Sequence, residues 1–411
     1  MELRIDNYIL FYLINFFNII FTKIYESRIS INSYKPVIII ILLIILNTNS
    51  YCNYLDNRVS KNLKIIKYDE IYNSTIENGT VLIFEPNIFH HECTPGYTKY
   101  FIDLGYKVDI LMYPYGIDSL LLFKDYSNIK IITFNNLHKD ISDHSKNLSS
   151  VIKKYDFILL QTTSLYELDI YNNLDFLNIT NSFFVFHCLD FINILGFSKY
   201  LKQNRIWTLG NFSRGLQVNP HYFGDIKLRN KNEKTTFFLT SSNGRNYTYL
   251  ISTIEKLYRE NYDFQIFVTG RAKKLNSDNI PNNLTKIFTF IYEVHYSELF
   301  KIVENSDYII IPLDPYNKYD YDYNNSKSSG SIQLAYGFSK PPIISKEYSN
   351  VYKLNENNSL IFNESNLYEI MKKSILLSND DYKYLQNGLI KCENEIYNTS
   401  IYNIKLAFNK N

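Results

Sequence analysis

Lys327-Ser328-Ser329-Gly330-Ser331 is a run of small residues behind a lysine, and Ile332-Gln333-Leu334-Ala335-Tyr336-Gly337 follows it. An apolar run at 308–313 precedes the turn, and Pro341-Pro342-Ile343-Ile344 comes after. The order reads as strand, loop, helix start, helix stop and strand, with Gly337 and the prolines ending the helix. A helix start carries unpaired N–H groups and the positive end of the dipole, so it suits an anion. Serine and glycine there let a phosphate approach closely, which makes the turn a candidate nucleotide-diphosphate site. The plainer reading is an ordinary serine cap; its position at a strand end favours the anion. Elsewhere, His90-His91-Glu92 offers groups able to take a proton from a hydroxyl, and His187 and Asp190 offer a second such pair. Each also has a structural reading, as a packed or hydrogen-bonded loop. Asp320-Tyr321-Asp322 has the spacing of a cation-binding carboxylate pair. It sits in a Tyr/Asp/Asn-rich stretch away from a strand end, reads as a solvated loop, and leads to no expected metal site. P-loop, G-x-G-x-x-G, G-x-S-x-G and H-E-x-x-H patterns are absent from the sequence.

The elements that must position these groups alternate. Apolar runs at 81–84, 107–112, 129–134, 156–160 and 183–186 read as strands of a parallel sheet, with helical stretches such as 97–104 between them. The loops carrying His90-His91-Glu92 and His187-Asp190 then lie at carboxyl ends of strands, where such sheets bind ligands. Turn formers at 205–210 and 218–224 read as a linker. The pattern restarts with strands at 236–240, 264–269, 308–313 and from 343, and helices at 247–259 and 297–305; the stretch 380–411 reads as helical. The expected organisation is residues 1–75 as an N-terminal hydrophobic region, 76–225 as an acceptor-side domain, and 226–411 as a donor-nucleotide domain with a C-terminal helix.

With 411 residues the chain exceeds one ordinary core, so two domains are expected. A net charge of +2 argues against a dedicated nucleic-acid binder, and no nucleic-acid partner is expected. Cys52, Cys93, Cys188 and Cys392 are scattered, with neither metal-ligand nor C-x-x-C spacing. The chain is rich in asparagine, so sequons such as Asn73-Ser74-Thr75 arise by chance. Near the start, 8–21 is an apolar stretch interrupted by Asn15 and Asn18, and 37–46 is wholly Ile, Leu and Val. Both fall short of the ~20 residues of a spanning helix. They are read as a signal-anchor-like segment that associates the protein with a membrane; a buried element is the alternative. Basic residues lie both between and after the stretches and leave the side of the membrane open.

Two α/β halves with an anion-binding helix start late in the second resemble the GT-B glycosyltransferases. The second half is similar to their family 4-like group (glycosyl transferases group 1). The likeness rests on S-D-Y-I-I-I-P-L, on S-G-S-I-Q-L-A-Y-G-F-S-K-P-P-I-I, and on F-F-L-T-S-S-N-G-R-N. In the first half it rests on H-H-E-C-T-P-G-Y-T-K-Y-F-I-D-L-G-Y-K-V-D-I-L. It covers roughly residue 81 to the C-terminus. It implies two Rossmann-like domains with parallel sheets facing a cleft, and transfer of a sugar from a nucleotide-diphosphate sugar to a hydroxyl of a glycan, lipid or protein, with no metal or other cofactor. By resemblance Ser328, Ser329, Gly330 and Ser331 hold the diphosphate, with Lys327 beside them. Arg245 and Arg271 lend positive charge, and Gln333 reaches a ribose. Gly96, His187 and Asp190 belong to the acceptor side. The chain departs from the family's two-glutamate pattern across this turn: a residue near Lys327 stands at the first position, and Gln333 or Leu334 at the second. Retention and inversion therefore both stay open. So do a non-catalytic sugar-binding or scaffold module and a nucleotide-sugar epimerase of the same fold.

Overall fold

The computed structural model describes residues 64–409 apart from 74, 88, 124–126, 135–136, 166, 225, 227, 243, 271–274, 276–279, 293 and 364. The apolar stretches 8–21 and 37–46, and Arg271, lie outside the described residues. Among the described residues no helix is long and apolar enough to cross a membrane.

The first half is built on a parallel sheet of β1 (Lys64–Lys67), β2 (Thr80–Glu85), β3 (Lys107–Met112), β4 (Ile129–Thr133), β5 (Phe157–Leu160), β6 (Ser182–Phe186), β7 (Ile206–Thr208) and β8 (Leu216–Gln217). Their spatial order is β1-β4-β3-β2-β5-β6-β7-β8. The central strand β2 is buried along its whole length and pairs Val81 with Val108 on one side and Phe157 on the other. Helices α1 (Thr94–Asp103), α2 (Leu137–Ile152), α3 (Leu168–Asn173) and α4 (Asp190–Ile194) connect the strands. β1 joins this sheet from within the 1–75 stretch, and β7 forms where the sequence reads as linker, with Trp207 fully buried.

The second half repeats the plan with β9 (Thr235–Ser241), β10 (Phe264–Gly270), β11 (Phe288–Ile291), β12 (Tyr308–Ile311), β13 (Pro342–Ser345) and β14 (Leu360–Phe362). The order is β11-β10-β9-β12-β13-β14, again parallel. Its helices are α5 (Thr248–Arg259), α6 (Tyr296–Asn305), α7 (Gly330–Gly337), α8 (Leu367–Leu376) and α9 (Asn379–Phe408). In both sheets the chain order reverses beside the first long strand, between β2 and β5 and between β9 and β12. Open α/β sheets place ligands outside the carboxyl ends at such points.

Two segments join the halves. Helix α9, 30 residues and about 45 Å long, starts against the second half, where the Tyr382 hydroxyl donates to the Asp307 carbonyl at 2.9 Å. It ends on the first, where Phe408 stacks on Phe157 with ring centroids 3.5 Å apart. The segment 218–224 is wedged between glycines. A Cβ on Gly96 of α1 would lie 2.4 Å from the Pro220 carbonyl carbon, and one on Gly337 of α7 would lie 2.0 Å from the His221 carbonyl oxygen. Gly96, expected on the acceptor side, is thus a packing glycine: the absence of a side chain lets the connecting backbone touch α1. Phe223 completes the wedge by stacking on Phe338 and meeting Phe300 edge-on. Filling either contact should force backbone apart at a cost of about 1–3 kcal/mol or more. Gly96→Ala and Gly337→Ala are each expected to lower the urea midpoint, and Gly330→Ala, whose Cβ meets nothing within 4 Å, to leave it unchanged; equal midpoints for all three would refute the wedge.

Candidate functional site

On the second-half side, β12 leads into a loop that the sequence presents as solvated, yet the structure pins it. The Tyr348 hydroxyl donates to the Asp320 carbonyl at 3.1 Å, and the Tyr352 hydroxyl lies 3.1 Å from the Tyr323 carbonyl and 3.3 Å from that of Lys327. Asp320 is only 1% exposed and accepts from the Asp314 N–H and the Asn317 amide. Its carboxylate faces Arg245, 5% exposed, with Oδ1 3.7 Å from Nε. Burial raises the Asp320 pKa, against the opposing pull of the Asp314 N–H and the Arg245 charge. Asp322 turns elsewhere and bonds Lys327 Nζ at 2.6 Å. The solvated-loop reading of Asp320-Tyr321-Asp322 is therefore corrected: each carboxylate serves a different cation, because the short helical turn at Tyr321–Asn324 separates their directions. Among the described residues no His/Cys/Asp/Glu group has the arrangement to hold a metal ion.

Helix α7 begins at the end of this loop. Ser329 is its N-cap residue, in extended conformation, but its hydroxyl makes no cap bond; it is buried and without a partner. The Tyr352 hydroxyl lies against the Ser329 backbone N–H and feels the Arg245 charge, which brings arginine and turn to one place. Gly330 is exposed over open space. Of the first-turn N–H groups, that of Ile332 donates to the Ser329 carbonyl at 3.0 Å, while those of Gly330 and Ser331 have no acceptor four residues back within the helix. Arg245 Nε and Nη1 are likewise buried without hydrogen-bond partners. The Gln333 amide donates to the Ser328 hydroxyl at 3.3 Å, leaving its own Oε1 buried and unpartnered. Ser331 is buried. The orphaned Ser329 hydroxyl and the two Arg245 nitrogens are donors suited to an anion, whereas the orphaned Gln333 amide oxygen is an acceptor suited to a hydroxyl or N–H, and unmatched buried polar atoms of either kind are costly.

On the first-half side, His90, Glu92 and His187 come together at the carboxyl ends of β2 and β6; Asp190 lies instead against Cys188 Sγ and the Ser326 hydroxyl, and His91 does not join them. The His90 and His187 rings stack with centroids 4.0 Å apart. His90 Nδ1 is 3.5 Å from Glu92 Oε1. Burial works to lower the His90 pKa, but Glu92, Glu85 and Glu167 outweigh it and raise it above the ordinary value. His187 Nε2 donates to the Gln161 carbonyl at 3.2 Å, and burial holds its pKa well below the ordinary value. His91 is wholly buried, packed against Gly116 and edge-on to Tyr115, and burial lowers its pKa to about 3. It is a neutral core ring and cannot meet a substrate, a correction that the side-chain direction of one loop residue decides.

Sequence reading passed over the floor of this site. Glu85, the last residue of β2, is fully buried, and burial pushes its pKa up to about 8. Its Oε2 accepts from the Gln161 amide and the Thr162 hydroxyl, both at 2.7 Å, and its Oε1 accepts from the Asn87 N–H at 2.6 Å. The same Gln161 amide donates to the His90 carbonyl at 2.8 Å, which fixes the loop. A carboxylate ending an apolar strand was the available signal.

The two sides touch. Leu189 N–H donates to the Ser326 carbonyl at 2.8 Å, Cys188 and Lys327 form an antiparallel bridge, and the Ser326 hydroxyl lies 3.4 Å from Asp190 Oδ2. The Tyr296 hydroxyl donates to Glu92 Oε2 at 3.1 Å. Buried Asp118 accepts the Ser297 N–H at 2.9 Å and so caps α6 from the opposite half.

No protein-family model and no curated protein matches this chain. Solved structures do. TarM aligns over 81% of this chain and 99% of its own, with 9% identity and a TM-score of 0.53. A point mutant of S. aureus TarM, in complex with Fondaparinux, alpha-GlcNAc-glycerol and UDP, covers 80% of this chain and 100% of its own at 10% identity and a TM-score of 0.53. A glycosyltransferase from Rickettsia africae ESF-5 covers 82% and 99% at 16% identity and 0.49. Two parallel α/β halves whose strand ends meet across one cleft, together with the likeness to both TarM structures, identify the architecture: the chain has the GT-B glycosyltransferase fold.

Proposed function

We propose that this protein transfers a sugar from a nucleotide-diphosphate sugar to an acceptor hydroxyl, holding the diphosphate at the start of α7. The observation that carries this reading is the set of unmatched buried groups there, Ser329 Oγ and the Arg245 nitrogens, beside first-turn N–H groups and the open space over Gly330. As the sugar leaves, negative charge collects on the diphosphate, and preorganised donors aimed at it lower the barrier. Arg245 and the α7 N–H groups supply them, with Lys327 at the rim. Asp320 and Asp322 are occupied by Arg245 and Lys327, so protein cations meet the leaving-group charge in this reading. The TarM complex, which contains UDP and alpha-GlcNAc-glycerol, is in keeping with a nucleoside-diphosphate donor on this fold and a hydroxyl-bearing acceptor. A second reading, a non-catalytic module that binds sugar nucleotides, is favoured by the absence of glutamate at Gln333 and Leu334.

Calorimetric titration with UDP and GDP tests the site. Gly330→Val is expected to melt like the parent, because its Cβ enters open space, and to lose at least about tenfold in affinity, or ~1.4 kcal/mol. Arg245→Lys keeps a charge opposite Asp320 but loses the planar fork and should weaken binding similarly. Failure of the parent protein to bind either nucleotide, or unchanged affinity in both variants, would sink the assignment.

A further inference from the structure

Resting on the reading of the α7 start as the donor site, we infer that Tyr316, Tyr319 and Tyr321 form a platform for the acceptor, and that this acceptor is an uncharged glycan chain whose sugar rings lie against their faces.

Half of the residues from 316 to 323 are tyrosine, and the structure sorts the four by direction. Tyr323 turns inward and sets its ring under the Arg245 guanidinium. Tyr316, Tyr319 and Tyr321 turn outward and are 78%, 58% and 62% exposed. The other exposed tyrosines among the described residues lie singly along the chain. Scattered apolar side chains need no explanation, but large ones gathered on one short loop mark an interaction surface.

The loop that carries these rings is held from below. The Asn317 amide donates to the Gly244 carbonyl at 2.7 Å and to Asp320 at 3.2 Å, and the Asp320 N–H donates to the Asn317 carbonyl at 2.8 Å. The Tyr319 ring lies over Gly244, where a Cβ would stand 3.1 Å from it. Rings on a frame that is already fixed bind without the cost of ordering a loop. The frame also fixes the place. Gly244 follows β9 and the tyrosine loop follows β12, the two strands at which the second sheet reverses its order. The three outward rings and the inward Tyr323 beside Arg245 therefore belong to one rim, at the mouth of the donor site.

Charge and size select the partner. Residues 314–327 carry three aspartates against two lysines, and the lysines are engaged. Lys318 Nζ lies over the Tyr319 ring, 5.2 Å from its centre, and Lys327 is bonded to Asp322. An acidic polysaccharide, a nucleic acid or an anionic bilayer would meet no free cation here, and like charge would repel it. The three side chains expose roughly 400 Å² together, taking about 200 Å² for a whole tyrosine. A stable protein partner needs about 800 Å² on each side. A neutral pyranose fits both limits. Its C–H face suits the negative face of an aromatic ring, and its rim hydroxyls suit a phenol that both donates and accepts. The platform would then hold sugar units remote from the reacting hydroxyl, and longer chains should bind better than short ones.

Calorimetry and saturation-transfer NMR on the full chain test this with maltohexaose, cellohexaose, chitohexaose and mannohexaose. Heparin hexasaccharide and phosphatidylglycerol vesicles represent the competing partners. At least one neutral hexasaccharide is expected to bind, its disaccharide more weakly, and heparin and vesicles not at all. The double variant Tyr316→Ala/Tyr321→Ala should lose about tenfold in hexasaccharide affinity, and Tyr316→Phe/Tyr321→Phe should keep it. Both variants should melt like the parent and bind UDP or GDP equally well, because the replaced rings stand in water. Binding of no neutral hexasaccharide, equal affinity in the alanine variant, or tyrosine-dependent capture of heparin or vesicles overturns the platform and leaves the nucleotide site standing. A parent protein that binds a hexasaccharide through these tyrosines but neither UDP nor GDP overturns the proposed function, and the acceptor role with it.

Discussion

The contact on which the structure depends is that of the 218–224 backbone with two glycines, one in each half. Gly96 lies four residues beyond Glu92 in the same loop-helix unit, and Gly337 closes the helix that begins at Ser329. Helix α7 is eight residues long, so its start stands only about 12 Å from the wedge. One stretch of connecting chain therefore sets the position of the His90 loop and of the start of α7 together. Packed interiors respond to an extra methyl by shifting backbone, not by absorbing it. A change at either glycine is thus transmitted to both sides of the cleft. Helix α9 acts in parallel: the Ser400 hydroxyl accepts the Asn219 N–H at 3.1 Å, and Asn403 donates to the Gln217 carbonyl at 2.8 Å.

Charge is divided across the cleft. The second half presents Arg245 and Lys327, each opposed by one aspartate; the first half presents glutamates grouped around two histidines. A buried cation without a partner is expensive, and a partner that fully satisfies it would leave nothing for a ligand. Arg245 lies between these limits. Asp320 stands 3.7 Å from Nε, close enough to offset the charge, yet two guanidinium nitrogens keep unspent hydrogen-bonding capacity. Tyr323 lies beneath the guanidinium, with its ring centre 5.7 Å away, and adds attraction without using a donor. The unmatched atoms and the ion pair are two aspects of one arrangement.

The sequence made the long parallel strands legible because they are continuous apolar runs: 81–84 and 308–311 sit at the centres of their sheets and must be apolar on both faces. It did not reveal β1, β7, β8, β11 or β14. These have two to four residues, too few for periodicity to separate a strand from a turn, and they pair only because a neighbouring edge is already in place. Within the site, the serine-glycine turn announced itself by composition. Asp320 did not, because a Tyr/Asp/Asn-rich loop reads as solvated whether or not tyrosines 28 and more residues away staple it down. Glu85 was equally hidden: two of its three donors, Gln161 and Thr162, lie just beyond β5, more than 70 residues further on. His90 and His91 are adjacent in sequence, and only the direction of each ring separates a reachable imidazole from a core one.

The same physics separates His90 from His187. Their rings stack 4.0 Å apart, a distance at which two positive charges repel strongly, so the pair holds at most one proton beyond neutrality. His187 donates to a backbone carbonyl, which fixes its tautomer, and its burial is not relieved by any nearby carboxylate. His90 has Glu92 at its edge and Glu85 and Glu167 behind it. The extra proton therefore belongs to His90, and His187 serves as a flat neutral support that fixes the plane of the ring above it. Strand β6 ends directly before that support and continues into the Cys188–Lys327 bridge, so the plane of the His90 ring is set beside the residues that dock the second half.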